Sequence, residues 1–122
     1  MSLQISRAEL EIMNVLWRKD AQTAADVYAA VSPHKDWSNR TVKTLLARLV
    51  EKGALTTEVE GRRFRYSTAI SETDYKTTAT GQFVDRIFSG RAAPLVAHLA
   101  DSRGLTDEDI AELEALLEGL KK

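Results

Sequence analysis

At 122 residues, with 43% hydrophobic and 29% charged side chains, the chain has the composition of one or two small folded domains rather than of a disordered tail. Cysteine is absent, which excludes disulfides, thiolate metal sites and cysteine nucleophiles. The net charge of −1 conceals an asymmetry: residues 1–70 carry 11 Lys and Arg against 8 Asp and Glu, and residues 71–122 carry 6 against 10. A polyanionic partner is therefore to be sought in the first part. No apolar run approaches the roughly 18 residues of a membrane span, and Met1-Ser2-Leu3-Gln4 lacks the charged-then-apolar order of a secretory signal. The expected location is the cytoplasm, without membrane insertion.

Helix starts are well punctuated. Ser6 with Glu9, Thr23 with Asp26, Ser71 with Asp74 and Thr106 with Asp109 each pair a hydroxyl N-cap with an acid three residues on, which satisfies free N–H groups of a first turn. Apolar pairs bracket three of these caps, Ile5 with Leu10, Ile70 with Tyr75 and Leu105 with Ile110, and Trp37, Ser38 and Val42 repeat the pattern at a fifth start. These signals predict helices over 7–18, 24–31, 39–52, 72–89 and 107–120, and a shorter one beginning at Pro94. Gly53, Gly90 and Gly104 stand where helices would end.

Between Leu55 and Ser67 the period changes from helical to alternating. Leu55–Glu60 and Arg63–Ser67 read as two strands turning at Gly61-Arg62, with Phe64 and Tyr66 on one face and Arg63 and Arg65 on the other. Three helices followed by a hairpin is the layout of a winged helix-turn-helix. The expected fold is thus mainly α with a small β-hairpin wing: a winged-helix domain over 1–70 and a helical dimerisation region over 71–122.

The third helix separates into two faces. At 100° per residue Val42, Leu45, Leu46, Leu49 and Val50 gather in one arc and face the core. The opposite arc holds Arg40, Thr44, Ala47 and Arg48, flanked by Thr41 and Lys43. That set suits base edges in a major groove: Arg and Lys donate to guanine, Thr to several bases, and Ala47 accepts a thymine methyl. Arg62, Arg63 and Arg65 on the hairpin have no matching run of acids and suit phosphates, which position a protein without reading sequence. An outward arginine face is also what a solvated surface helix carries. Its place as the third helix, with an arginine-rich hairpin directly after it, favours nucleic acid.

Other chemistries find little footing. The two histidines, His34 and His98, lie far apart in the sequence, and no zinc-protease, serine-hydrolase or phosphate-loop pattern is present. No enzymatic activity, catalytic residue, metal or cofactor is expected. In the last part, Ile110, Leu113, Leu117 and Leu120, with Leu116 beside them, form a helical stripe. Residues 71–122 are too few to bury that stripe together with Tyr75, Phe83, Ile87, Phe88, Leu95, Val96 and Leu99, so a second subunit is expected to cover these residues.

The runs Ile5–Trp17 and Trp37–Gly53, and Glu60-Gly61-Arg62 leading to Tyr66-Ser67, resemble the penicillinase-repressor family (BlaI/MecI/CopY), above all in Trp-Ser-x-x-Thr-Val-Lys-Thr-Leu-Leu-x-Arg-Leu. The resemblance implies a homodimeric winged-helix repressor on a double-stranded DNA operator with inverted repeats related to TACA and TGTA. It also implies a dimer formed by the C-terminal helices and, in the beta-lactam-responsive branch, a sensor-linked protease that cuts an Asn-Phe bond. Here His98-Leu99 occupies that place, and the cysteines of the copper-responsive branch are missing. Two functions follow: a DNA-binding repressor, or a winged-helix protein-interaction module whose arginine face docks an acidic partner.

Overall fold

The computed structural model describes residues 4–121; Met1–Leu3, part of the segment read above for a signal, lie outside the described residues. The first helix, α1 (Arg7–Arg18), begins where the Ser6 hydroxyl accepts from the Glu9 N–H at 3.1 Å and the Glu9 carboxylate accepts from the Ser6 N–H at 2.7 Å. A two-residue strand, β1 (Gln22–Thr23), leads directly into α2 (Ala24–Val31), where Thr23 and Asp26 repeat the reciprocal cap. The helix α3 (Asn39–Glu51) starts at Ser38, whose hydroxyl accepts from the Thr41 N–H at 3.1 Å. It ends at Gly53, where φ is +83°, a value that only glycine adopts freely.

The strands β2 (Leu55–Glu60) and β3 (Arg63–Thr68) pair antiparallel from Leu55 with Thr68 to Glu60 with Arg63. Gly61, at φ +62°, takes the first central position of the two-residue turn. Pattern reading missed β1, which pairs Gln22 with Tyr66 and Thr23 with Arg65 and makes the hairpin a three-stranded sheet of order β1-β3-β2. Two residues are too few for an alternation to show in sequence.

The core lies among α1, α2, α3 and the base of the sheet. Ile12, Met13, Leu16, Val27, Val42, Leu46, Leu49 and Ala54 are fully buried, and Val31, Leu45 and Leu55 nearly so. The apolar arc expected on α3 is the arc that is buried, with Val50 half-buried at its edge. Helix–helix–helix–hairpin therefore closes as the winged helix-turn-helix that the sequence predicts.

Three more helices follow: α4 (Glu72–Phe88), α5 (Ala92–Ser102) and α6 (Asp107–Leu120). The start expected at Pro94 lies two residues earlier, at Ala92. Proline fits anywhere in a first turn, whose N–H groups have no partner within the helix, so it marks that turn without marking its first residue. The chain divides into two compact units, residues 1–78 and 79–122, so the division falls inside α4. The start of α4 stays with the first unit: the Tyr75 ring lies 5.7 Å from the Trp17 ring, and the Trp17 indole N–H donates to the Ile70 carbonyl at 3.0 Å. In the second unit Phe88 lies 5.9 Å from Phe83 and 6.2 Å from His98, ring centre to ring centre. No described helix is long and apolar enough to cross a membrane.

Candidate nucleic-acid interface

The outer face of α3 is exposed along its length. Arg40, Thr41, Lys43, Thr44, Ala47 and Arg48 are all open to solvent, opposite the buried Val42, Leu46 and Leu49. Arg40, Thr41, Thr44 and Arg48 line a shallow groove of about 310 Å³ on this face. The Thr41 hydroxyl is 3.1 Å from the Ser38 hydroxyl, so its first partner is the helix cap, whereas Thr44 makes no such bond to a described residue.

A second, larger cleft of about 580 Å³ opens between the start of α3 and the hairpin. Asn39 and Lys43 form one wall, and Arg62, Arg63, Phe64 and Tyr66 form another. Fold topology thus unites the two basic sets that the sequence placed twenty residues apart. Arg40, Lys43, Arg48, Arg62 and Arg63 form no ion pair with a described residue, so their charge is available to an outside polyanion.

Arg65 differs from the other hairpin arginines. The sequence left all three without acidic partners, yet the Arg65 guanidinium pairs with the Glu60 carboxylate and donates to the Ala21 carbonyl at 2.6 Å. Ala21 holds φ at +60°, a left-handed conformation that is costly for a residue with a Cβ. Arg65 in the free chain is therefore a brace between the wing and the α1–β1 turn. Asp20 in the same turn accepts from the Thr68 N–H at 2.9 Å and fastens the other end of β3.

The orientation of α3 has a brace of its own. Glu9 is 1% exposed and carries more than its cap: the Lys52 ammonium, at the C-terminal end of α3, donates to it at 2.5 Å and to the Gln4 carbonyl at 2.6 Å. Burial pushes the Glu9 carboxyl up, but the Lys52 ammonium and Ser6 together hold it below its ordinary value. Pattern reading found Glu9 as a capping residue only. Nothing local marks a partner 43 positions away, and Lys52 looked like one more surface lysine.

The expected subunit-contact residues separate into two groups. Phe88, Leu95, Leu99 and Leu113 are half-buried within the chain, and Phe83, Ile87, Val96, Ile110, Leu116, Leu117 and Leu120 are exposed. Tyr75 stands apart, packed on Trp17 in the first unit. His98 and Leu99 lie inside α5, where the His98 carbonyl accepts from the Ser102 hydroxyl at 2.8 Å.

The chain is similar to known proteins over most of its length. A model of the penicillinase repressor family matches residues 5–119. The chain is 37% identical to the penicillinase repressor of Bacillus licheniformis over 115 residues, covering 94% of this chain and 90% of the relative. It is 31% identical over 114 residues to the methicillin resistance regulatory protein MecI of Staphylococcus aureus (strain N315), covering 93% of each. Among solved structures, the DNA-binding domain of the repressor BlaI is 44% identical with a TM-score of 0.55, over 60% of this chain and 89% of that one. The monomeric form of Bacillus licheniformis BlaI, solved in complex with the blaP half-operator, is 44% identical with a TM-score of 0.52, over 59% and 88%. A winged unit with an open basic face, matched over nearly its whole length, places the chain in the penicillinase repressor family, a family of transcriptional repressors and not of enzymes.

Proposed function

We propose that the chain is a DNA-binding transcriptional repressor that acts as a homodimer on an inverted-repeat operator related to TACA and TGTA. One observation carries the reading: five exposed cations that form no ion pair with a described residue, Arg40, Lys43 and Arg48 on α3 and Arg62 and Arg63 on the wing, border two hollows of the first unit. In this reading α3 enters the major groove, Thr44 and Arg48 meet base edges with Ala47 against a thymine methyl, and the wing arginines hold phosphates. The BlaI monomer bound to a half-operator supports the same assignment by likeness. The first unit then acts as the reader, and the helices after it join two readers at half-sites about 34–36 Å apart.

Release by proteolysis belongs to the same reading. A cut between Pro94 and Thr106 detaches α6 and leaves a monomeric reader, because one half-site contact is far weaker than two joined ones. The His98–Leu99 bond is helical, so a sensor-linked protease reaches it only once α5 opens, whereas the segment from Arg103 to Leu105 is already outside any helix. Fluorescence anisotropy with an inverted-repeat duplex and a scrambled one, each at two salt concentrations, tests the function. Tight, salt-sensitive binding to the inverted repeat is expected. Failure to bind either duplex, with capture of an acidic protein instead, would replace the repressor by an interaction module.

A further inference from the structure

Two apolar side chains stand at the tip of an otherwise charged wing. Val59 and Phe64 lie directly opposite each other across β2 and β3, and they are 73% and 53% exposed. Strand alternation places them on the face that carries Leu55 and Tyr66 nearer the core, so the core-facing stripe of the hairpin continues beyond the core. The other face bears Glu58, Glu60, Arg63 and Arg65. Phe64 also lines the cleft with Lys43, Arg62 and Arg63. An apolar protein partner laid over this tip would desolvate three cations that form no ion pair with a described residue, which is costly. A DNA strand presents both chemistries at the right interval, with anionic phosphates and, between them, deoxyribose rings whose edges are carbon.

We propose that Phe64, backed by Val59, packs against deoxyribose carbons of one DNA strand while Arg62 and Arg63 pair with the flanking phosphates. The wing contact then has an apolar component that salt does not screen, beside the counterion-release component of its arginines. This inference rests on the DNA-binding reading above and adds to it a residue type that a phosphate contact does not require.

The test is a salt series of anisotropy titrations on the inverted-repeat duplex with the full chain and three variants. Phe64→Thr puts a strand-favouring β-branched residue in place of the aromatic one and removes the apolar surface, and it should bind about tenfold more weakly at every salt concentration with an unchanged slope. Phe64→Leu, which keeps an apolar side chain, should stay within about threefold of the parent. Arg63→Ala should instead flatten the slope by about one unit. Circular dichroism melts confirm that each variant is folded. Parent-like affinity in Phe64→Thr overturns the inference, and so does an equal loss in Phe64→Leu. A flattened slope in Phe64→Thr also overturns it, since Phe64 would then only hold the arginines in place. If the parent chain binds neither the inverted repeat nor a scrambled duplex, the DNA-binding reading itself fails; if the parent binds and Phe64→Thr matches it, only the apolar contact fails.

Discussion

Residues 1–78 gather eleven buried apolar side chains into one cluster, whereas no described residue of α4, α5 or α6 is buried, although capped amphipathic helices occur in both units. A cap and an apolar stripe are enough to make a helix, but burial needs surfaces that converge from several directions. In the first unit, three helices and a sheet supply them. In the second, Phe88 meets Phe83 and His98, but much of the apolar stripe faces water: Leu116, Leu117 and Leu120 are 64%, 56% and 80% exposed. The first unit closes around its own core, and the second leaves an apolar stripe in water, the surface that the proposed dimer would cover.

The sharpest way to break that contrast is to charge the exposed stripe. Leu117→Asp costs a lone chain little, since the side chain is already in water, but in a subunit seam it buries an unpaired carboxylate. Operator affinity should fall by about a hundredfold or more as the joined half-sites become independent, and light scattering should show a monomer. A monomer that still binds the full inverted repeat at parent affinity would sink the dimeric mechanism.

The opposite perturbation targets the closed core. Leu46 is fully buried on α3, and Leu46→Ala should destabilise the first unit by about 2–5 kcal/mol. Trp17 and Trp37 both belong to this unit, so denaturant unfolding followed by tryptophan fluorescence reads it directly. A loss under about 1 kcal/mol would mean that the cluster is loosely packed and the contrast overstated.

Smaller effects sharpen the picture of the reader. Arg48→Ala should cost about 1–3 kcal/mol on the specific operator and much less on random DNA, measured by anisotropy, whereas an equal loss on both would restrict Arg48 to phosphate. Lys52→Met removes the main group that offsets the burial of Glu9. The folded-state pKa of Glu9 is depressed, so its pairing stabilises the fold above the ordinary carboxylate pKa and that gain is lost as pH falls through the depressed value. The variant should therefore be less stable than the parent by about 1–2 kcal/mol at neutral pH, below the cost for a fully buried pair because Lys52 stays 35% exposed. The gap should close on acidification, as followed by thermal melts from pH 7 to 3. A gap independent of pH would show that Lys52 acts through packing alone.

Helix starts were legible because a cap is a contact between residues three apart, and here the hydroxyl-then-acid spacing coincides with the start of an apolar helical period. Ser6, Thr23, Ser71 and Thr106 each accept the N–H bond that their sequence context predicts, and the two faces of α3 followed from its period alone. The basic face was legible for the same reason, because α3 exposes what its apolar arc does not bury. Tertiary structure decided what lies between elements: the β1 pairing with Tyr66, the Arg65 brace to Ala21 44 positions away, the Glu9–Lys52 pair, and the meeting of Lys43 with the wing in one cleft. Each of these joins groups 19 to 44 residues apart, and only the closure of the core brings them together.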